Sequence, residues 1–453
     1  MKRIMKNIKV SVFVVALMLI AGMTPVKAQE LVTMEEAVKE ALANNLQIKQ
    51  TEFQAALSEQ DLYQARMSFY PTLNANTNGS INWGLSFDQT AGRLVTQEVS
   101  SAGFRLSTGV DLFQGFQRIN QVRANKYLLM ASESEVERAK NDLTLSVITT
   151  YLEALTNLDL LEASQQQQTL SSEQLRVMEI NIEAGNNTLA DLSQSQTQRA
   201  TDELNVTTSQ NAYEMALLNL KQLMEMDPSA PIQLERPSVE EVQLSTTRML
   251  ASEIYGTAVT NFPEIKAAEY STLSAERNVA IARGGLYPSL SLSAGIGTNY
   301  SSQARDFNTQ QILPFGNQLE RNRSESIGLS LNIPIFNQNR VRISINRALI
   351  GYQNALTNEQ LVKNNLNKIV HQSVLDLNSA EKSLAASETA LAAATQTFEV
   401  MQLRFDEGLA NSVELSTSQI AMNRAEFDFI QAKYNFIFRS KVIDFYLGNP
   451  TWF

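Results

Sequence analysis

The chain has no cysteine and a single histidine, His371, among 453 residues. The first absence excludes disulfides, thiolate metal sites, cysteine nucleophiles and a lipid anchor on an N-terminal cysteine. The second excludes a multi-histidine metal site and a histidine relay, and leaves His371 as a surface or packing residue within a helix. Only 18 glycines and 10 prolines interrupt the chain, so its elements run long. After Met23 no apolar run reaches the ~20 residues that a membrane-spanning helix needs. The formal charge is −10, which gives no reason to expect a nucleic-acid partner. Carboxylates are spread along helical segments with no convergent cluster. That speaks against an enzyme and leaves no cofactor or metal to expect.

What is present starts with an export signal. Met1 to Lys9 is basic, Val10 to Met23 is almost wholly apolar, and Val26 and Ala28 stand at −3 and −1 of a cleavage after Ala28. This basic, apolar, small order reads as a secretory signal over 1–28. An exported chain without a later apolar span is expected to be periplasmic, secreted or a β-barrel.

The remainder is one unit written twice. Asn44, Ile48, Lys49, Glu59, Ala65, Arg66, Tyr70, Pro71 and Leu73 recur at one offset as Asn261, Ile265, Lys266, Glu276, Ala282, Arg283, Tyr287, Pro288 and Leu290. At a slightly larger offset, Phe113, Gly185, Leu192, Ser193 and Gln196 recur as Phe336, Gly408, Leu415, Ser416 and Gln419. One loop between these landmarks is therefore longer in the second half. The expected organisation is a first repeat over 29–226, a linker over 227–249 with Pro228, Pro231 and Pro237, a second repeat over 250–447, and a tail over 448–453.

Each repeat reads helix, two strands, long helix, turn, returning helix. The first helix is expected over 33–68, opened by a capping box of Thr33 and Glu36 and closed by Pro71. Its counterpart is expected over 250–285. The hydrophobic period then changes from 3.6 to 2. Strands are expected at about 72–87 and 102–114, and at about 289–300 and 325–336. In each, apolar residues such as Leu73, Ile81, Leu106 and Val110, or Leu290, Leu292, Ile327 and Ile335, oppose Asn, Ser and Gly. Loops near 88–101 and 301–324 are polar. Long helices follow over 117–184 and 339–407, with apolar residues stepping by three and four as in coiled coils. Gly185 and Gly408 end them, and returning helices run over 188–226 and 411–447.

A soluble sheet with one apolar face needs a second layer to pack on, and no sequence remains for one. In an exported chain the apolar face can meet lipid and the polar face water, the transmembrane β-barrel pattern. Four strands cannot close a barrel, and open edges are forbidden in lipid. Two copies would give eight strands and three would give twelve. An eight-stranded barrel is filled by its own side chains, so a conduit favours three.

This set of features resembles the TolC family of outer-membrane efflux proteins, across essentially the whole mature chain. The resemblance is carried by Tyr70-Pro71 and Tyr287-Pro288 before the strands. It is carried equally by the turns running from Ala184 to Leu192 and from Glu407 to Leu415, each followed by a Gln-containing helix (Gln194, Gln196; Gln419). It implies a homotrimer with a twelve-stranded transmembrane β-barrel continued by a periplasmic α-helical coiled-coil tunnel. It also implies a periplasmic adaptor and an inner-membrane pump of RND or ABC type, which supplies the energy because this chain has no nucleotide motif. The location implied is the outer membrane, extending into the periplasm. The competing reading is a surface or periplasmic coiled-coil structural protein without channel activity.

Glu414 and Asp191 are the candidate gate acids. The resemblance places an acidic constriction in the second turn, where Glu414 stands, and three copies around an axis would form acidic rings. Both also suit helix N-termini, where the dipole favours negative charge. Further on, Thr417 and Ala410 stand where a well-studied relative has an acid and a base, so the same charge latch is not expected. Gly185, Leu189, Leu192, Gly408, Val413 and Leu415 are the candidate adaptor contacts at the tip turns. Both glycines are also expected as helix C-caps. Gln165–Gln168 read as a solvated helix face. Trp83 and Tyr300 suit a membrane interface, and the terminal Trp452-Phe453 follows a helix rather than a strand.

Overall fold

The computed structural model describes residues 30–88, 93–185, 187–236 and 250–448. The expected signal over 1–28, the linker from Pro237 to 249, and Trp452-Phe453 lie outside the described residues. In chain order the elements are β1 Glu30–Val32, α1 Met34–Asn44, α2 Leu46–Met67, β2 Thr72–Asp88, β3 Arg93–Gln114, α3 Gln117–Glu183, α4 Leu189–Leu223, β4 Ile232–Leu234, α5 Ala251–Asn261, α6 Pro263–Gly284, β5 Ser289–Ser301, α7 Phe315–Arg321, β6 Ser324–Asn332, α8 Arg340–Asp406 and α9 Ser412–Leu447. They fall into two compact units. One holds Met1–Lys49, Ala139–Asn261 and Leu366–Phe453, the other Gln50–Arg138 and Phe262–Asn365. Each unit takes matching pieces of both repeats.

The first unit is helical, with one small sheet. The expected capping box at Thr33 and Glu36 starts α1, with both reciprocal bonds in place at 3.0 and 3.1 Å. The core gathers Ala37 and Ala41 of α1, Val147, Ile148 and Leu155 of α3, Leu220 of α4 and Ile437 of α9. Truncating one of the larger of these, such as Leu155, Leu220 or Ile437, to alanine costs about 2–5 kcal/mol. Within the linker, β4 pairs in parallel with β1, Val32 opposite Leu234. The hydroxyl of buried Tyr151 lies 2.9 Å from the carbonyls of Val32 and Glu235 and binds both strands to α3. Beside it, Asp159 accepts from Tyr434 at 2.8 Å and pairs with Arg236 at 3.1 Å. Linker, α3 and α9 are thus joined by one half-buried carboxylate.

The second unit carries an antiparallel sheet of order β2-β3-β5-β6. Its registers put the expected apolar sets on one face. Ala75 lies opposite Leu106, Leu106 opposite Ile296, and Leu292 opposite Leu329. β2 and β6 are the edges. Two consecutive left-handed residues lead from sheet to long helix in each repeat: Gly115 and Phe116 at φ 59° and 65°, Gln338 and Asn339 at 57° and 60°. Phe116 packs edge-on against Phe113 and Tyr287, with ring centres 5.2 and 6.4 Å apart. These aromatics mark one end of the apolar face.

The structure corrects five expectations. The helix over 33–68 breaks at Asn45 (φ −57°, ψ 127°), whose carboxamide oxygen accepts from Gln47 and Ile48 and starts a new helix. The helix over 250–285 breaks at Phe262, because Pro263 has no N–H and restricts the residue before it. The loop expected near 88–101 is mostly strand, since β3 begins at Arg93. Its polar residues Thr96 and Glu98 stand on the apolar side, opposite Leu85 and Trp83, so no alternation marks the strand there, and Glu98 accepts from the Trp83 ring nitrogen at 3.2 Å. The strand expected over 325–336 ends at Asn332. Pro334 cannot donate to a ladder, so Ile333, Ile335 and Phe336 lie beyond it. The expected loop over 301–324 also contains α7.

Candidate functional site: the paired hairpin turns

The candidate residues gather at the two helical turns of the first unit. Gly185 and Gly408 sit just past α3 and α8 at φ 76° and 71°. At Gly408 the end is a Schellman motif: Gly408 N donates to Phe405 O at 3.0 Å and Leu409 N to Arg404 O at 2.7 Å. Gly185 N donates to Ile182 O at 2.9 Å in the same way. The sequence reading of both as C-caps therefore holds.

Both acids take part in capping boxes. Asp191 accepts from Thr188 N at 3.0 Å, and Asp191 N donates to Thr188 Oγ1 at 3.3 Å. Glu414 accepts from Asn411 N at 3.0 Å, and Glu414 N donates to Asn411 Oδ1 at 2.9 Å. Their side-chain roles then diverge. Glu414 is exposed. The other oxygen of Asp191 accepts a short hydrogen bond from the hydroxyl of Ser412, the first residue of α9. The two turns are thereby tied to each other. Ser412 first, then Thr188, holds the Asp191 carboxyl below the usual carboxylate range. Sequence reasoning missed Ser412, because nothing local shows that two turns more than 200 residues apart meet.

The apolar tip candidates separate by exposure. Leu189 is 76 % exposed, Val413 is also exposed, and Leu192 is half-buried. Leu415 is only 5 % exposed and faces the interior. There it lines a cavity of about 180 Å³ with Met178, Phe405, Gln174, Gln402 and Gln419. Gln174 Nε2, Gln402 Oε1, Ser416 Oγ and Gln419 Nε2 are buried around it without a protein partner. A cavity this size, offering both donors and acceptors, has room for ordered water. Further from the turns, burial pushes the Asp202 carboxyl up, partly offset by Gln198, which donates to it at 3.0 Å. The interior near the turns is thus polar, whereas the core around Tyr151 is apolar. Separating the helices costs less at the polar end.

Among the described residues no cluster of three or more His, Asp or Glu side chains could hold a metal. No described helix is long and apolar enough to cross a membrane. The sheet in the second unit has the apolar face for that purpose.

The sequence model of a family described as "Outer membrane efflux protein" matches residues 37–224 and 254–449. The chain is 21 % identical over 409 residues to the outer membrane efflux protein BepC of Brucella suis biovar 1, covering 89 % of this chain and 84 % of that one. It is 24 % identical over 364 residues to the cation efflux system protein CusC of Escherichia coli K12, covering 77 % and 73 %. Its fold resembles the crystal structure of the Campylobacter jejuni CmeC outer membrane channel with a TM-score of 0.77, at 17 % identity, over 92 % of this chain and 86 % of that one.

Proposed function

Because the chain belongs to the outer membrane efflux protein family, and so is an outer-membrane exit duct that reaches into the periplasm, we propose that three copies close one barrel and that the paired turns gate it. The observation that carries this reading is the sheet, whose four strands put apolar residues on one face and whose edges, β2 and β6, pair with no further strand among the described residues. In lipid those edges must be paired, and three copies pair them while leaving a lumen. A coiled-coil scaffold would leave the apolar face without a purpose.

The duct itself is passive. A periplasmic adaptor and an inner-membrane pump of RND or ABC type drive the substrate. The turns carry the gate: Gly185 and Gly408 allow tight reversals, Asp191 and Ser412 hold them together, and Glu414 faces the axis as an acidic ring that favours cations. Leu189, Val413 and, beside them, half-buried Leu192 offer the adaptor an apolar foothold.

The test is conductance in a planar bilayer, with wild type against Glu414→Gln. Gln keeps the capping box and removes only the charge. Discrete cation-preferring channels whose preference falls in the variant support duct and ring together. An unchanged preference removes the ring and keeps the duct. Inserted, oligomeric protein that stays silent with its adaptor present overturns the duct.

A further inference from the structure

The two edges of the sheet differ in length. β2 has 17 residues and β6 has 9. Through Asn76 opposite Arg105, Arg105 opposite Gly297, and Gly297 opposite Ser324, the first residue of β6 is level with Asn76. β2 continues past that level from Thr77 to Asp88, and its apolar alternation continues with it.

This extension makes β2 longer than a membrane-spanning strand needs to be. At ~3.3 Å rise and ~40° tilt a strand climbs about 2.5 Å per residue, so an apolar band of ~25 Å takes about ten residues. Counted along the strand from Leu290 it ends near Tyr300, whose ladder partner is Ala102, itself paired with Gly79. Ile81, Trp83, Leu85 and Phe87 lie above that level on the same face, all exposed, Trp83 by 73 %. They lie past the end of this ten-residue band counted along the strands, and β6, which begins at the rung of Asn76, is too short to stand beside them.

A second exposed apolar surface lies at the same height beside β5. The chain from Ala304 to Leu313 forms a hairpin, with Asp306 N donating to Gln311 O and Leu313 N to Ala304 O, both at 2.9 Å. α7 is fixed to it by Gln318. This fully buried amide bonds Ser301 N, Ser301 O and Leu313 O at 2.9, 3.0 and 2.7 Å. Arg321 pairs with Asp306 at 3.0 Å and, with the turn amides, holds that carboxyl down to about 2. The platform is therefore built rather than loose, yet it presents Phe307, 83 % exposed, with Ile312 and Phe315. Phe315 packs on Tyr300 with ring centres 5.0 Å apart, which sets α7 against the apolar face.

We propose that the projecting part of β2 docks on the α7 platform of a second copy of this chain, a subunit contact outside the membrane that continues the barrel seam. The inference rests on the closed-barrel reading. Closure brings β2 of one copy beside β6 of the next, and the segment immediately preceding β6 is α7. The apolar stripe of Trp83 and Leu85 then meets Phe307 and Phe315 of the partner subunit.

The absence of cysteine makes the test clean. Two full-length chains with different tags, one Trp83→Cys and one Phe315→Cys, are co-expressed, and outer membranes are treated with a short thiol cross-linker. A denaturing gel is expected to show a dimer band carrying both tags. Trp83→Ser is expected to lower the dissociation temperature of the oligomer by several degrees while the barrel stays inserted. Native-sized trimers without the mixed band overturn the docking and leave the closed barrel standing. Protein that never forms trimers overturns the closed barrel itself. Quenching of Trp83 by brominated lipid, in a Trp452→Phe background, would put the stripe in the bilayer and also overturn the docking.

Discussion

The carboxamide nitrogen of Asn45 donates to the carbonyl of Leu223 at 3.2 Å while its oxygen accepts from Gln47 N at 2.9 Å. One side chain thus ends α4 and begins α2. The 35 residues of α4 and the 22 of α2 are spliced at this point. Two helices from distant parts of the chain thus share one capping side chain. The second repeat has Phe262 where the first has Asn45. It starts its helix with Pro263 and ends α9 at left-handed Gly448, φ 76°.

Asn45→Ala removes a helix N-cap and leaves Leu223 O without its donor. The expected loss is about 2 kcal/mol. Asn45→Asp keeps the cap, loses only the donor, and is expected to fall between. Thermal melting gives the order, and hydrogen exchange at Ile48 N is expected to accelerate in Asn45→Ala alone. Equal stability of wild type and Asn45→Ala would mean the splice contributes nothing.

Asn45 also shows where a sequence stops being readable. The duplication, the alternating faces and the glycine ends of the long helices follow from local patterns, and all three stand in the structure. The break at Asn45 depends on Leu223, which no local pattern predicts. β4 has three residues and exists because Glu30–Val32 lies beside it. β6 stops at Asn332 although Ile333 and Ile335 keep the alternation, because Pro334 overrides a pattern that remains apolar. At the turns, Thr188 with Asp191 and Asn411 with Glu414 have capping-box spacing and were legible as helix starts. The bond from Ser412 to Asp191 was not, because it arises from the packing of two hairpins.

The glycines separate conformational need from close approach. At Gly408 a Cβ would meet nothing within 4 Å, so Gly408→Ala is expected to cost only the left-handed backbone, about 1–2 kcal/mol. At Gly115 a Cβ would lie 2.1 Å from Gly284 O. Positive φ alone is tolerated at this turn, since Gln338 and Asn339 adopt it in the second repeat. It is the contact with Gly284 that demands glycine. Gly115→Ala is therefore expected to abolish the heat-stable inserted barrel, and Gly408→Ala to keep it. A folded Gly115→Ala barrel with unchanged melting would refute the close approach.

On the proposed gating role of the paired turns, the bond between Ser412 and Asp191 is expected to make closure sensitive to one hydroxyl and to acid. The carboxyl is held below its ordinary range chiefly by Ser412, so the folded state binds its proton less readily than the unfolded chain does. Its contribution is fully present above the unfolded value near 4 and is lost as pH falls through the lower folded value. Closure is thus expected to be unaffected between about pH 8 and 5 and to weaken below about 4. Ser412→Ala removes the donor at every pH. For a half-exposed pair worth about 1 kcal/mol, the closed-to-open ratio at pH 7 is expected to fall about fivefold. Single-channel recordings at pH 7 and pH 3.5 decide between outcomes. Wild type is expected to open more often at the lower pH. Ser412→Ala is expected to open more often at pH 7 and to gain less on acidification. An Ser412→Ala channel that opens like wild type at pH 7 would show that the two turns are held shut by something other than this pair.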